Sequence, residues 1–241
     1  MKNLSDDLIQ CTVRILCGDL SKTGSGFFIS PEGHIVTNCH VVTDVKIVNG
    51  AIQYDYSSNI MIQLGNQEVV KATIESDTNS DRPIICDYAI LRINHAPSYW
   101  LDTKSFDEIC VGEEVISIGF PHDFTMPVVT NGIVSQKAKY PSHVNSLHSL
   151  NTIITNTRIS HGNSGGPLIT VADKRVVGIC TLNHELQDAI FQRLYQYLKM
   201  PGVQLDRVQF DLLESVVKYT NIGLFHAISI DHVRTDRAWS F

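Results

Sequence analysis

Long apolar runs are absent from this chain of 241 residues. No segment approaches the roughly 20 apolar residues that a membrane-spanning helix needs, so no membrane partner is expected. Runs of lysine and arginine are absent as well. With 19 basic residues against 25 acidic ones and a formal charge of −6, the chain lacks the basic excess by which proteins neutralise nucleic-acid phosphates. Six cysteines, at 11, 17, 39, 86, 110 and 180, include no Cys-x-x-Cys pair. That argues against a thiolate zinc site, and nothing else in the pattern calls for a metal or a cofactor. No secretory leader is expected at this N-terminus, because Asp6 and Asp7 stand where an uninterrupted apolar core would be needed. The expectation is a chain that stays in the cytoplasm, with its cysteines reduced and serving as small buried apolar residues.

What is present reads as an ordinary globular protein, 43% hydrophobic and 18% charged. Short runs rich in Val, Ile and Thr, separated by Gly, Pro, Asn and Asp, recur along it: Thr12–Leu16, Gly26–Ile29, His34–Asn38, Val45–Val48, Ile60–Leu64, Glu68–Ile74 and Tyr88–Ile93. A polar connector follows from about Asn94 to Cys110. Then come Glu114–Gly119, Pro127–Ser135, Thr152–Thr157, Pro167–Thr170, Val176–Cys180 and Ile222–Ile230. Such spacing predicts an all-β protein, and two groups of strands imply two barrels. The exception is Asn183 to Asn221, where Leu186, Ile190, Leu194 and Leu198 and then, after Pro201-Gly202, Leu205, Val208, Leu212 and Val216 fall at helical spacing. These predict a helical hairpin. The polar stretch Lys137 to Ser149 is expected to be a mobile loop.

Chemistry concentrates in Thr157-Arg158-Ile159-Ser160-His161-Gly162-Asn163-Ser164-Gly165-Gly166-Pro167. One serine stands there among glycines, whose freedom lets backbone N–H groups converge on a developing negative charge. An unactivated hydroxyl is a poor nucleophile, so acyl transfer also needs a base and a group that orients it. Thr37-Asn38-Cys39-His40-Val41-Val42 offers a histidine at the end of an apolar strand, and Cys86-Asp87-Tyr88-Ala89-Ile90-Leu91 an aspartate at the head of another. Cys39 and Cys86, next to these two, should point the other way by strand alternation. His40 is thus the candidate base, Asp87 the orienter and Ser164 the nucleophile, with Gly162, Asn163 and Ser164 forming the oxyanion hole.

Taken with Gly24-Ser25-Gly26-Phe27-Phe28-Ile29-Ser30 and Gly112-Glu113-Glu114-Val115-Ile116-Ser117-Ile118-Gly119-Phe120-Pro121, these blocks resemble the trypsin-like serine peptidases, in particular their HtrA (DegP-like) branch. The resemblance implies a chymotrypsin-like double β-barrel, with His40 and Asp87 on an N-terminal barrel (residues 1–104) and Ser164 on a C-terminal one (105–241). Their cleft would hold the active site. The helical hairpin, about 183–221, departs from the short loop that relatives carry there and would be an insertion in the C-terminal barrel, serving regulation or docking. Asn163 departs from secreted zymogens, which have an aspartate before the nucleophile, and so points to loop ordering rather than prodomain cleavage as the control.

By the same resemblance the pocket for the residue before the scissile bond would be lined by Arg158, Ile159, Ser160, Cys180, Thr181, Leu182 and His226. Ile159 and Leu182 favour a small aliphatic side chain there, whereas Arg158 and His226 would favour an acidic one if they point inward. The expected activity is endopeptidase cleavage of protein or peptide substrates, with a regulatory protein or a second copy as a partner through 183–221. Two other readings stay open: a serine esterase on the same scaffold, and a catalytically silent trypsin-like binding module.

Overall fold

The computed structural model describes residues 6–18, 22–48, 51–121, 124–142, 144–181 and 224–239. The chain divides into two compact units, Met1–Leu182 with Phe225–Phe241, and Asn183–Leu224. The expected hairpin at 183–221, like Leu182, lies outside the described residues. Among the described residues no helix is long and apolar enough to cross a membrane.

The first unit is all-β in plan. A short helix α1 (Asp6–Gln10) leads into β1 (Thr12–Cys17), β2 (Lys22–Phe28) and β3 (His34–Thr37). One helical turn, α2 (Cys39–Val42), then separates β3 from a two-stranded ribbon of β4 (Thr43–Val48) and β5 (Ala51–Tyr56). β6 (Ile60–Gln63), β7 (Val69–Ile74), a second helical turn α3 (Arg82–Ile85) and β8 (Ala89–Ile93) follow. Six of these strands close a barrel in the order β1-β2-β3-β8-β7-β6, with β1 paired to β6. The second barrel is β10-β11-β14-β13-β12-β9, built from β9 (Glu114–Gly119), β10 (Val128–Pro141), β11 (Ser149–Thr155), β12 (Pro167–Thr170), β13 (Val176–Thr181) and β14 (Phe225–Ser229). A last helical turn, α4 (Asp231–Arg234), follows β14.

Strand alternation explains why many of these segments read as continuous apolar runs. On β2, Phe28 packs inside the first barrel with Ile15, Ile35, Ile62 and Leu91. Its neighbour Phe27 packs with Val36, Tyr88, Ile116, Ile118 and Ile179, a cluster drawn from both barrels. Both faces of such a strand are covered, so no polar alternation is required. Burying a side chain of this size contributes roughly 1.5 to 3 kcal/mol, and the inter-barrel cluster therefore fixes the two barrels as one body.

Four sequence expectations are corrected. Cys39 and Cys86 are not on strands: the first opens α2 and the second caps α3, so strand alternation says nothing of their direction. Cys110 is exposed while the other five cysteines are buried, and all six are free. Lys137 to Pro141 belongs to β10 and pairs in register with Ser149 to Ile153, so the expected loop shrinks to the turn between them. The run around Val45 is one arm of a ribbon whose other arm, Ala51–Tyr56, was not anticipated.

Candidate active site

β3 ends at Thr37, Asn38 adopts extended backbone as the N-cap, and α2 carries His40 in its only turn. On the other side of the site, α3 stops in a left-handed residue, and that residue is Asp87, at φ +48°. The amide of Asp87 donates to Ile84 O at 3.3 Å and that of Tyr88 to Pro83 O at 3.0 Å. This is the paired pattern of a Schellman cap, whose left-handed position glycine normally fills. Aspartate tolerates the conformation at a cost, and gains a fixed direction for its carboxylate.

That carboxylate meets His40 twice. His40 Nδ1 lies 2.9 Å from Asp87 Oδ2 and 3.0 Å from Oδ1, and the His40 backbone amide donates to Oδ1 at 3.0 Å. Asn38 Nδ2 holds the Asp87 carbonyl at 2.9 Å, and the Thr181 hydroxyl stands 3.5 Å from Oδ2. With Nδ1 facing a carboxylate, the ring's proton belongs there and Nε2 is left as the basic nitrogen. Packing around the ring presses its pKa down, but the charge of Asp87 and the hydrogen bond to it outweigh that and the opposing charge of Lys22, so the net shift is upward. The neighbouring Cys39 thiol is pushed up to about 12, first by burial and then by the charge of Asp87, and stays protonated at neutral pH.

Ser164 reaches the same place through glycine. Gly165 has φ +89°, and a Cβ there would lie 2.1 Å from Ser25 O, 2.2 Å from Thr37 Oγ1 and 3.2 Å from Asn38 N. Only glycine lets the serine's loop touch the residues that lead into α2. From the other side, a Cβ on Gly24 would meet Val41 at 2.6 Å and the Ser164 carbonyl at 3.2 Å. Among the described residues no hydrogen bond joins Ser164 Oγ to His40 Nε2, a contact that commonly tightens only when substrate binds. Gly162 is left-handed at φ +96°. Its carbonyl accepts from Ser25 Oγ at 2.7 Å, and Ser25 Oγ in turn accepts from Phe120 N at 2.8 Å.

Ser25 was given no role in the sequence, yet its backbone amide also donates to Ser164 O at 2.8 Å and its carbonyl accepts from the Thr37 hydroxyl at 2.7 Å. It ties the nucleophile loop to the first barrel at two points, Gly162 O and Ser164 O, and is itself held by Phe120 N and the Thr37 hydroxyl. The signal available was its setting between Gly24 and Gly26, two positions where a side chain would collide with neighbours. Thr181, expected in the specificity pocket, has its hydroxyl 3.5 Å from Asp87 Oδ2. Of the other candidates for that pocket, Ile159 and Cys180 are in the core of the second barrel beside Phe225 and Ala227. Arg158 and Ser160 are exposed, and His226 is half-buried with its ring 5.5 Å from that of Tyr140. Asn163 is buried, its amide donating to Ser160 O at 3.0 Å.

Two antiparallel six-stranded barrels with a histidine–aspartate pair beside a glycine-flanked serine define the class of the trypsin-type double-barrel proteins. The model of the trypsin-like peptidase domain matches residues 24–179, and the chain belongs to that family. Among curated relatives, a probable periplasmic serine endoprotease DegP-like of Rickettsia prowazekii (strain Madrid E) is 32% identical over 186 residues, 74% of this chain and 33% of its own length. Serine protease HTRA3 of Rattus norvegicus is 36% identical over 162 residues, 66% of this chain and 32% of its own length. The chain thus spans about a third of the length of these relatives. Among solved structures, the HtrA-type protease AlgW with tripeptide superposes with a TM-score of 0.62 at 20% identity, over 92% of this chain and 57% of that one. The Rv3671c protease, inactive form, gives 0.61 at 19% identity, over 94% and 86%. These two show the likeness of fold.

Proposed function

We propose that the chain is a serine endopeptidase acting on protein or peptide substrates, with Ser164 as nucleophile, His40 as general base and Asp87 as orienter. The observation that carries this reading is the contact of His40 Nδ1 with both oxygens of Asp87, at 2.9 and 3.0 Å. It leaves Nε2 free to take the hydroxyl proton as Ser164 Oγ bonds to the scissile carbonyl carbon. The same proton then passes to the amine as the C–N bond breaks, and water repeats the cycle to release the acyl group. The N–H groups of Gly162 and Ser164 receive the oxyanion, each such donor being worth about 3 to 4 kcal/mol in the transition state. The identities of 32% to the DegP-like endoprotease and 36% to HTRA3 support peptide rather than ester substrates.

The segment 183–221 we read as a helical hairpin that takes part in regulation or docking. The test of the activity compares wild type with Ser164→Ala, by labelling with a fluorophosphonate and by cleavage of an unfolded protein. Labelling and cleavage are expected in the wild type and absent from the variant. His40→Ala is expected to fall nearly as far, and the double variant no further, because the triad acts as a unit. Cleavage that survives in Ser164→Ala would overturn the mechanism, and a folded wild type that neither labels nor cleaves would favour a binding module.

A further inference from the structure

The residue after Asp87 is also tied down, and by the far end of the unit. Tyr88 is fully buried, and its phenol donates to Asp236 Oδ2 at 2.9 Å. Asp236 lies beyond α4, in the segment that follows the last strand of the second barrel, whereas Tyr88 opens into β8 of the first. Its carboxylate is buried and collects further donors, Ala238 N at 2.8 Å and Asp77 N at 3.4 Å. Beside it, Ser76 Oγ accepts from Ile90 N at 2.6 Å, so the segment that follows Asp87 is braced at both Tyr88 and Ile90. The segment itself is anchored to the second barrel and the connector: His232 Nε2 accepts from Asn151 N at 2.9 Å, and Asp231 Oδ2 accepts from Phe106 N at 2.9 Å.

A left-handed non-glycine residue persists only where its surroundings over-determine it. The hydrogen bonds within α3 and from Asn38 set the backbone of Asp87, and the Tyr88–Asp236 bond adds a hold from the other barrel. A buried carboxylate that accepts a phenol proton is costly to lose, since the remaining donors would then be unpaired. We propose that Asp236 is a positioning residue for Asp87, acting through the Tyr88 hydroxyl. It would keep the Asp87 carboxylate at hydrogen-bond distance from His40, an inference that rests on reading His40, Asp87 and Ser164 as a triad.

Tyr88→Phe removes one oxygen and keeps the ring, and Asp236→Asn keeps the shape and weakens the acceptor. Both are expected to lower kcat by about 10- to 100-fold with KM little changed, because small misplacement of a triad partner acts on the transition state. His40 titration, followed by NMR through its imidazole Cε1 proton, is expected to move to lower pH in both variants as Asp87 supports the imidazolium less well. In an Asp87→Asn background neither substitution is expected to lower kcat further, whereas a merely structural role would cost activity in both backgrounds. If Asp236→Asn does not fold, Tyr88→Phe decides alone. Variants with wild-type kcat and an unmoved His40 titration would overturn the proposal, as would equal losses in the two backgrounds. If the wild type proves not to cleave peptides, the triad reading fails, and the His40 titration still reports on the brace.

Discussion

The imidazole of His40 is subject to opposed influences, packing against it and the carboxylate of Asp87 in its favour, and the balance lifts its pKa above the ordinary 6.5. A general base must be neutral before attack, so kcat/KM for peptide cleavage is expected to rise with pH through a midpoint above 6.5. Asp87→Asn removes the lifting charge. The limb should then move to lower pH, and kcat should fall by about 10⁴-fold as the favoured tautomer is lost. A pH–rate profile of both proteins checks this, and a variant whose limb stays in place would show that Asp87 does not set the titration. At this scale His40, Asp87 and Ser164 stand out in the sequence because motif residues of those types sit in short, distinctive strings. Ser25 and Asp236 do not. Their roles come from contacts at separations of 137 and 148 residues, and the only local trace is the pair of glycines around Ser25.

Elements were legible in proportion to their length and repetition. Most strands are four to seven residues long and rich in Val, Ile and Thr, and two groups of them sufficed to expect two barrels. α2, α3 and α4 have four residues each, too few for a 3.6-residue period to appear. These turns nevertheless place the chemistry, since α2 carries His40 and the cap of α3 is Asp87. The ribbon arm Ala51–Tyr56 carries only a weak signal, the alternation of Ile52, Tyr54 and Tyr56 among polar neighbours. The cap makes a prediction that separates fold from function. Asp87→Gly and Asp87→Ala lose the same carboxylate, but only glycine enters the left-handed region freely. The glycine variant is expected to be more stable by about 1 to 2 kcal/mol in urea unfolding, with both equally inactive. Equal stabilities would mean that φ at this position relaxes when the carboxylate is removed.

On the scale of the whole molecule, the two barrels share one apolar cluster and the site lies where their segments meet, so whatever joins the strands near it is well placed to act on it. The segment 183–221 leaves β13 just after Thr181, whose hydroxyl stands at Asp87, and returns to β14 at Phe225. In the register of those strands Thr181 pairs with His226. A segment with helical periodicity inserted there is the natural candidate for a control element, because any load on it bears first on the ends of β13 and β14. We expect the intact chain to cleave slowly when dilute and faster, per molecule, as a partner or its own concentration increases. Replacing 183–221 with a short Gly-Ser turn is expected to leave a folded protein whose rate no longer responds. Peptide cleavage measured across a concentration series for both proteins, with unfolding curves to establish the fold, reads the difference. A shortened protein that folds, cleaves at the wild-type rate and keeps the same response would show that the segment is scaffold and that control, if any, resides in the barrels.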